Sequence, residues 1–150
     1  MEFVMQVYLA NTEATEQFGA SLNKVLPKKC VIYLQGDLGA GKTTFVRGFL
    51  RAAGYNGTVK SPTYNLVEEY TIAQQTVFHF DLYRLSVPEE LEWIGINDYF
   101  AQQSICFIEW PDLGLGFLPQ PDLIIALIHQ EQGRLLVITD NTQNKITSAL

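Results

Sequence analysis

Residues 30–46 read Cys-Val-Ile-Tyr-Leu-Gln-Gly-Asp-Leu-Gly-Ala-Gly-Lys-Thr-Thr-Phe-Val, and this stretch decides the fold. Cys30 to Leu34 is a continuous apolar run, the mark of a strand buried on both faces. A helix expected to begin near Lys42 carries Phe45, Val46, Phe49 and Leu50 at helical spacing and should stop at Gly54. Between the two, Gly36 to Thr43 matches G-x-x-x-x-G-K-[ST]. Strand, loop and helix stand in the order that a phosphate cradle requires. Glycines at 36, 39 and 41 let backbone N–H groups turn inward without Cβ clashes. The helix N-terminus adds partial positive charge. Lys42 is expected to reach the β- and γ-phosphates of a nucleotide, and the Thr43 hydroxyl to ligate Mg²⁺. The full motif in this context sets aside a glycine-rich turn that merely caps a helix.

Working outward, Phe3 to Leu9 has the composition of a strand. Asn11 then offers an N-cap, and Ala14, Phe18, Leu22, Val25 and Leu26 keep roughly helical spacing up to Pro27. Asn65 to Ile72 and Thr76 to Tyr83 read as two strands around a polar turn at 73–75, a hairpin rather than a crossover. Pro88 to Phe100 should be helical, in two pieces broken at Gly95, with Ser86 as candidate N-cap. Ile105 to Ile108 is a second fully apolar strand. Leu123 to Ile128 and Arg134 to Thr139 are two more, around a turn at Gly133. Alternating strands and helices make the class α/β, with a mostly parallel central sheet and antiparallel edge strands.

A phosphate cradle needs an acid at the end of a neighbouring strand. Glu109 stands there, at the end of the Ile105–Ile108 run, in the Walker B position. The bland alternative is an ordinary polar strand end. Trp110 beside it is either core or a contact for a partner. In His79-Phe80-Asp81-Leu82-Tyr83, period two puts His79, Asp81 and Tyr83 on one face and the apolar residues on the other. Either that polar face is solvated, or Asp81 looks into the cleft, where it would orient the attacking water or join the Mg²⁺ shell. Thr63, in Ser61-Pro62-Thr63-Tyr64, lies where a switch segment would sense the γ-phosphate, although Ser-Pro is also an ordinary turn signal.

Composition narrows the class. The chain has 150 residues, enough for a single domain over residues 1–150 with one proper core. It carries ten Lys and Arg against sixteen Asp and Glu, a net charge of −6. Such a chain lacks the general phosphate attraction behind non-specific nucleic-acid binding. Cys30 and Cys106 sit in apolar runs and read as small buried hydrophobes. The N-terminus has no basic and apolar leader pattern, and no apolar run reaches the roughly 18 residues of a membrane span. A cytoplasmic setting without membrane association is the expectation.

No N-K-x-D and no D-x-x-G occur, so guanine specificity lacks support and ATP is favoured. Arg47, Arg51, Arg84 and Arg134 are all the arginines, too few for the lid and acceptor site of a typical small-molecule kinase. That alternative, a small-molecule or nucleotide kinase using the same loop, is weakened. A third possibility is a nucleotide-sensing interaction protein without turnover.

The series Gly36–Thr44, Ser61–Tyr64, His79–Arg84 and Ile108–Pro111 resembles, in order and spacing, the TsaE (YjeE) family of bacterial ATPases. The resemblance spans nearly the whole chain. It implies a three-layer P-loop NTPase fold and weak, Mg²⁺-dependent ATP hydrolysis in the formation of threonylcarbamoyladenosine in tRNA. It implies as partners TsaD, the transferase, and TsaB, its inactive paralogue, with tRNA met only through that complex. It makes Lys42, Thr63, Asp81 and Glu109 the candidate catalytic residues, with Thr43 and Glu109 toward the metal. The implied ATP-binding run is Gly39, Ala40, Gly41, Lys42, Thr43 and Thr44. Adenine is implied between Thr12, after the first strand, and Gly133 and Arg134 in the late hairpin.

Overall fold

The computed structural model describes residues 3–62 and 64–150. Its strands are β1 (Phe3–Leu9), β2 (Cys30–Gln35), β3 (Val67–Ile72), β4 (Gln75–Asp81), β5 (Ile105–Glu109), β6 (Leu123–Gln130) and β7 (Gly133–Asp140). The helices are α1 (Thr12–Asn23), α2 (Lys42–Ala52), α3 (Glu90–Trp93) and α4 (Ile96–Ala101), with a 3₁₀ turn at Pro111–Gly114. The strands form one seven-stranded sheet in the order β1-β7-β6-β2-β5-β4-β3. The central strands β6, β2, β5 and β4 run parallel, and β1, β7 and β3 complete the edges antiparallel.

Apolar side chains pack on both faces of the sheet, giving three layers. On one face Ile32, Leu34, Ile105 and Phe107 meet Phe45, Phe49 and Leu50 of α2 and Leu22 of α1. On the other, Phe78, Phe80, Cys106 and Ile108 meet Leu91 of α3 and Ile96 of α4. This explains the unbroken apolar run of β5, in which every residue is buried. The helices α1 and α2 approach closely: a Cβ at Gly48 would lie 2.1 Å from the Glu16 carbonyl oxygen. Burial pushes both cysteine thiols up, as suits small hydrophobes rather than reactive groups.

Several boundaries move for local reasons. Asn11 caps α1, its Oδ1 accepting from the Ala14 N–H at 2.9 Å. The helix ends at Asn23 rather than near Pro27: past it the chain tightens, the Lys24 N–H bonding the Ser21 carbonyl and the Val25 N–H the Leu22 carbonyl, three residues back rather than four. The β3 strand begins at Val67 rather than Asn65, after Leu66 adopts a left-handed φ of 68°. The β4 strand ends at Asp81, where the Leu82 N–H donates to the Glu109 carbonyl. Ser86 does not cap α3. Its N–H donates to Glu90 Oε2, and the helix is entered through Glu89. Gly95 does break the segment, at φ 73°. The late hairpin turns at Glu131, φ 54°, so Gly133 is already paired with Gln130.

The last residues are held by Asp140, which is fully buried at the end of β7. Its Oδ1 accepts from the Thr142 N–H and hydroxyl, and its Oδ2 from the Thr147 N–H and hydroxyl. Burial alone would raise the carboxyl pKa. The hydrogen bonds, led by the Thr142 hydroxyl, outweigh it and hold the group below its ordinary value. A depressed folded-state pKa gives stability that is complete above the unfolded value and lost as pH falls through the folded one. Asp140→Asn puts an amide N–H against these donors. It should cost roughly 2 kcal/mol, or about 4–8 °C in melting temperature at neutral pH. The gap to wild type should close as pH drops into the acid range, which melts across a pH series would show.

Candidate functional site

The loop after β2 ends in Gly41, which stands at the N-cap of α2 with φ 106° and without a side-chain cap. At that φ any other residue would be strained. The first bond into the helix is from the Phe45 N–H to the Gly41 carbonyl. The N–H groups of Lys42, Thr43 and Thr44 therefore have no intrahelical acceptor and point at the loop. A Cβ at Gly36 would lie 2.7 Å from the Leu127 carbonyl oxygen, so the loop can leave the sheet here only on a glycine.

Register assembles the acids. Glu109 lies opposite Leu34 of the loop strand, and Asp81 lies opposite Glu109 on the next strand. Both carboxylates thus reach the C-terminal edge of the parallel strands, one strand spacing apart, and both residues are buried. The polar face of β4 is not solvated: His79 is fully buried. Its Nε2 lies 2.5 Å from Glu109 Oε2. The Lys42 amine donates to the Gly36 carbonyl at 2.6 Å and lies 3.5 Å from Glu109 Oε1. It also sits 4.6 Å from the centre of the Trp110 ring. Asp81 Oδ1 accepts from the Tyr83 N–H at 3.0 Å.

A trough crosses the loop in two joined parts. The part of about 230 Å³ is lined by Lys42, Thr43, Thr44, Ser61, Asp81 and Glu109. The part of about 360 Å³ is lined by Asn11, Thr12, Thr44, Gly133 and Arg134, and both parts share Gly39 and Gly41. Thr12, Gly133 and Arg134 are thus brought together beside the loop. Ala40 is buried beneath it. Arg134 adds a feature the motif did not reveal. Its Nε donates to the Ala40 carbonyl at 2.8 Å, and an Nη donates to the Gly39 carbonyl at 3.3 Å. Both carbonyls are thereby satisfied, and the backbone of the loop is tied to β7. Thr63 lies outside the described residues; beside it, Tyr64 is 84% exposed and carries the Arg84 guanidinium over its ring.

A larger cavity of about 610 Å³ lies among α3, α4 and residues 116–119. Its charged lining residues are Glu92 and Asp98, with no Lys, Arg or His beside them, a setting that repels a phosphate. Among the described residues no cluster of three metal-ligating side chains exists. The donors beside the loop suit Mg²⁺ instead, which takes one or two protein oxygens and keeps phosphates and waters as its other ligands. Here those would be the Thr43 hydroxyl and the Glu109 carboxylate. Among the described residues no helix is long and apolar enough to cross a membrane.

This sheet, loop and acid arrangement define a protein of the P-loop NTPase fold. The chain belongs to the TsaE family of threonylcarbamoyl adenosine biosynthesis proteins, whose family model matches residues 9–136. It is 46% identical to the tRNA threonylcarbamoyladenosine biosynthesis protein TsaE of Haemophilus influenzae, over 99% of this chain and 98% of that protein. It is 40% identical to the protein of that name from Synechocystis, over 72% of this chain and 71% of that one. The crystal structure of Bacillus subtilis YdiB superimposes with a TM-score of 0.82 at 28% identity, covering 99% of this chain and 93% of that one. The family places the chain in tRNA threonylcarbamoyladenosine biosynthesis.

Proposed function

We propose that the chain is the ATP-binding, slowly hydrolysing subunit of this machinery, and that it acts on the complex of TsaD and TsaB. The observation that carries the reading is the convergence of the Gly36–Thr43 loop, Lys42, Glu109 and Asp81 on one edge of the parallel strands. In this reading the loop N–H groups and Lys42 hold the phosphates, and Lys42 exchanges Glu109 for phosphate oxygens. Adenine lies in the part of the trough between Thr12 and the Gly133–Arg134 turn. Arg134 acts there through the loop carbonyls it braces. Thr43 and Glu109 hold Mg²⁺, which when bound neutralises phosphate charge. Asp81 accepts a hydrogen bond from the attacking water; the water oxygen bonds to the γ-phosphorus as the bond to ADP breaks. Thr63 senses the γ-phosphate. With a net charge of −6, contact with tRNA is left to the complex, in the cytoplasm.

The test is reconstitution of threonylcarbamoyladenosine on tRNA by TsaD and TsaB, with and without this chain and ATP. Repeated turnover should require both. Full turnover without the chain would overturn the reading. A second measurement addresses the metal. Thr43→Ala and Glu109→Ala should each move the Mg²⁺ midpoint of ATP hydrolysis up by at least the roughly 10–100-fold that losing a mere outer-shell partner of a metal ligand costs. If Glu109→Ala leaves the curve in place, Asp81 takes the metal role.

A further inference from the structure

On the face of the sheet that His79 occupies, Val77 and Phe107 are buried in the core behind it, Glu68 stands opposite it on β3, and Asp81 and Glu109 lie toward the cleft. A buried polar side chain in such a place costs stability unless its hydrogen bonds are met. Here they are met on one side alone. Nε2 lies 2.5 Å from Glu109 Oε2, whereas Nδ1 is buried with no partner among the described residues. A leucine would suit the core better. The ring is placed for its bond to Glu109. Glu109 in turn has its oxygens divided, Oε2 on His79 and Oε1 facing Lys42 at 3.5 Å.

We propose that His79 is a positioning residue that fixes the Glu109 carboxylate through an Nε2–H···Oε2 bond, so that Oε1 is the oxygen presented to Lys42 and to the metal shell. The inference rests on the assignment of Glu109 to Mg²⁺. The hydrogen of the pair sits on Nε2, since Nδ1 has nothing to give one to. A bond this short and this buried removes the rotation by which a carboxylate would otherwise swing out of the cleft. Partners of metal-binding groups commonly contribute 10–100-fold in metal affinity.

The experiment reads binding rather than turnover. A non-hydrolysable ATP analogue is titrated into the full chain over a range of Mg²⁺, beside a thermal melt. His79→Leu should raise the Mg²⁺ midpoint about 10–100-fold, with the change confined to the Mg²⁺-dependent part of the affinity. His79→Gln restores an N–H at the reach of Nε2 and should return the midpoint toward wild type, which a purely structural role for the ring would not produce. An unmoved midpoint in folded His79→Leu overturns the proposal, as does equal loss in the Leu and Gln variants. If Glu109→Gln shifts the midpoint and His79→Leu does not, the Glu109 assignment stands and the positioning role falls. If neither shifts it, both fall. Should His79→Leu not fold, long-range ¹H–¹⁵N imidazole spectra of the wild-type chain decide. The Nε2–H tautomer supports the bond, and the Nδ1–H tautomer overturns it.

Discussion

Lys42→Ala should lower ATP affinity by roughly 10- to 150-fold, the equivalent of about 1.5–3 kcal/mol for one charge-assisted contact to a buried phosphate. Lys42 is 5% exposed, so its amine has little water to fall back on and few places to go. Its bond to the Gly36 carbonyl keeps it over the loop. The complication is Glu109, which loses its cation in the variant. Breaking a buried ion pair can cost several kcal/mol when the charge left behind has no other partner. Here the pair is 3.5 Å long, well beyond a direct charge-assisted bond, and Glu109 keeps His79. The melt should therefore fall modestly, and adding Glu109→Gln should recover it without recovering affinity. Calorimetry beside melts of both variants separates the two effects. Unchanged affinity in a folded Lys42→Ala chain would sink the phosphate-cradle assignment.

The cradle was legible in the sequence because its residues are contiguous: a strand, a loop and a helix written in one run of letters. Glu109 was legible for a related reason, as a carboxylate closing an apolar strand. The His79–Asp81 face was not. Period two separates its polar and apolar residues but cannot say whether the polar side meets water or another strand. Register settles that, by setting Asp81 opposite Glu109 and burying His79 behind it. Arg134 shows the same limit. It lies 94 residues from the carbonyl it braces, and no local pattern encodes a side chain reaching a distant backbone oxygen. Ser86 failed as a cap for the opposite reason. Its type fits the motif, but α3 begins only at Glu90 and is entered through Glu89, so Ser86 stands too far upstream for its hydroxyl to serve the first turn. The last ten residues carry no motif, yet one buried acid, Asp140, receives bonds from both Thr142 and Thr147.

Turnover of ATP by the isolated chain should be slow and should rise steeply with TsaD and TsaB together. The four arginines explain why. Arg47 lies against Glu16, and Arg51 donates to the Tyr55 and Gly57 carbonyls. Arg134 is bonded to the loop backbone, and Arg84 stacks on exposed Tyr64 at 4.5 Å from the ring centre. None of them lines the part of the trough that holds Lys42, Asp81 and Glu109. Two buried carboxylates beside one lysine can orient water and hold a metal. They leave developing negative charge on the γ-phosphate under-compensated. A positive group placed there contributes roughly 10³–10⁵ in rate. Docking can supply it in either of two ways, by a partner side chain or by moving Arg84 inward off Tyr64. These separate in one experiment. Steady-state turnover is measured for the chain alone, with each partner singly and with both, for wild type and for Arg84→Ala. If stimulation survives in Arg84→Ala, the group comes from the partner; if it is abolished there, Arg84 is the group and docking repositions it. Fast turnover by the isolated wild-type chain, indifferent to both partners, would overturn the docking requirement itself and favour an independent hydrolase or phosphotransferase.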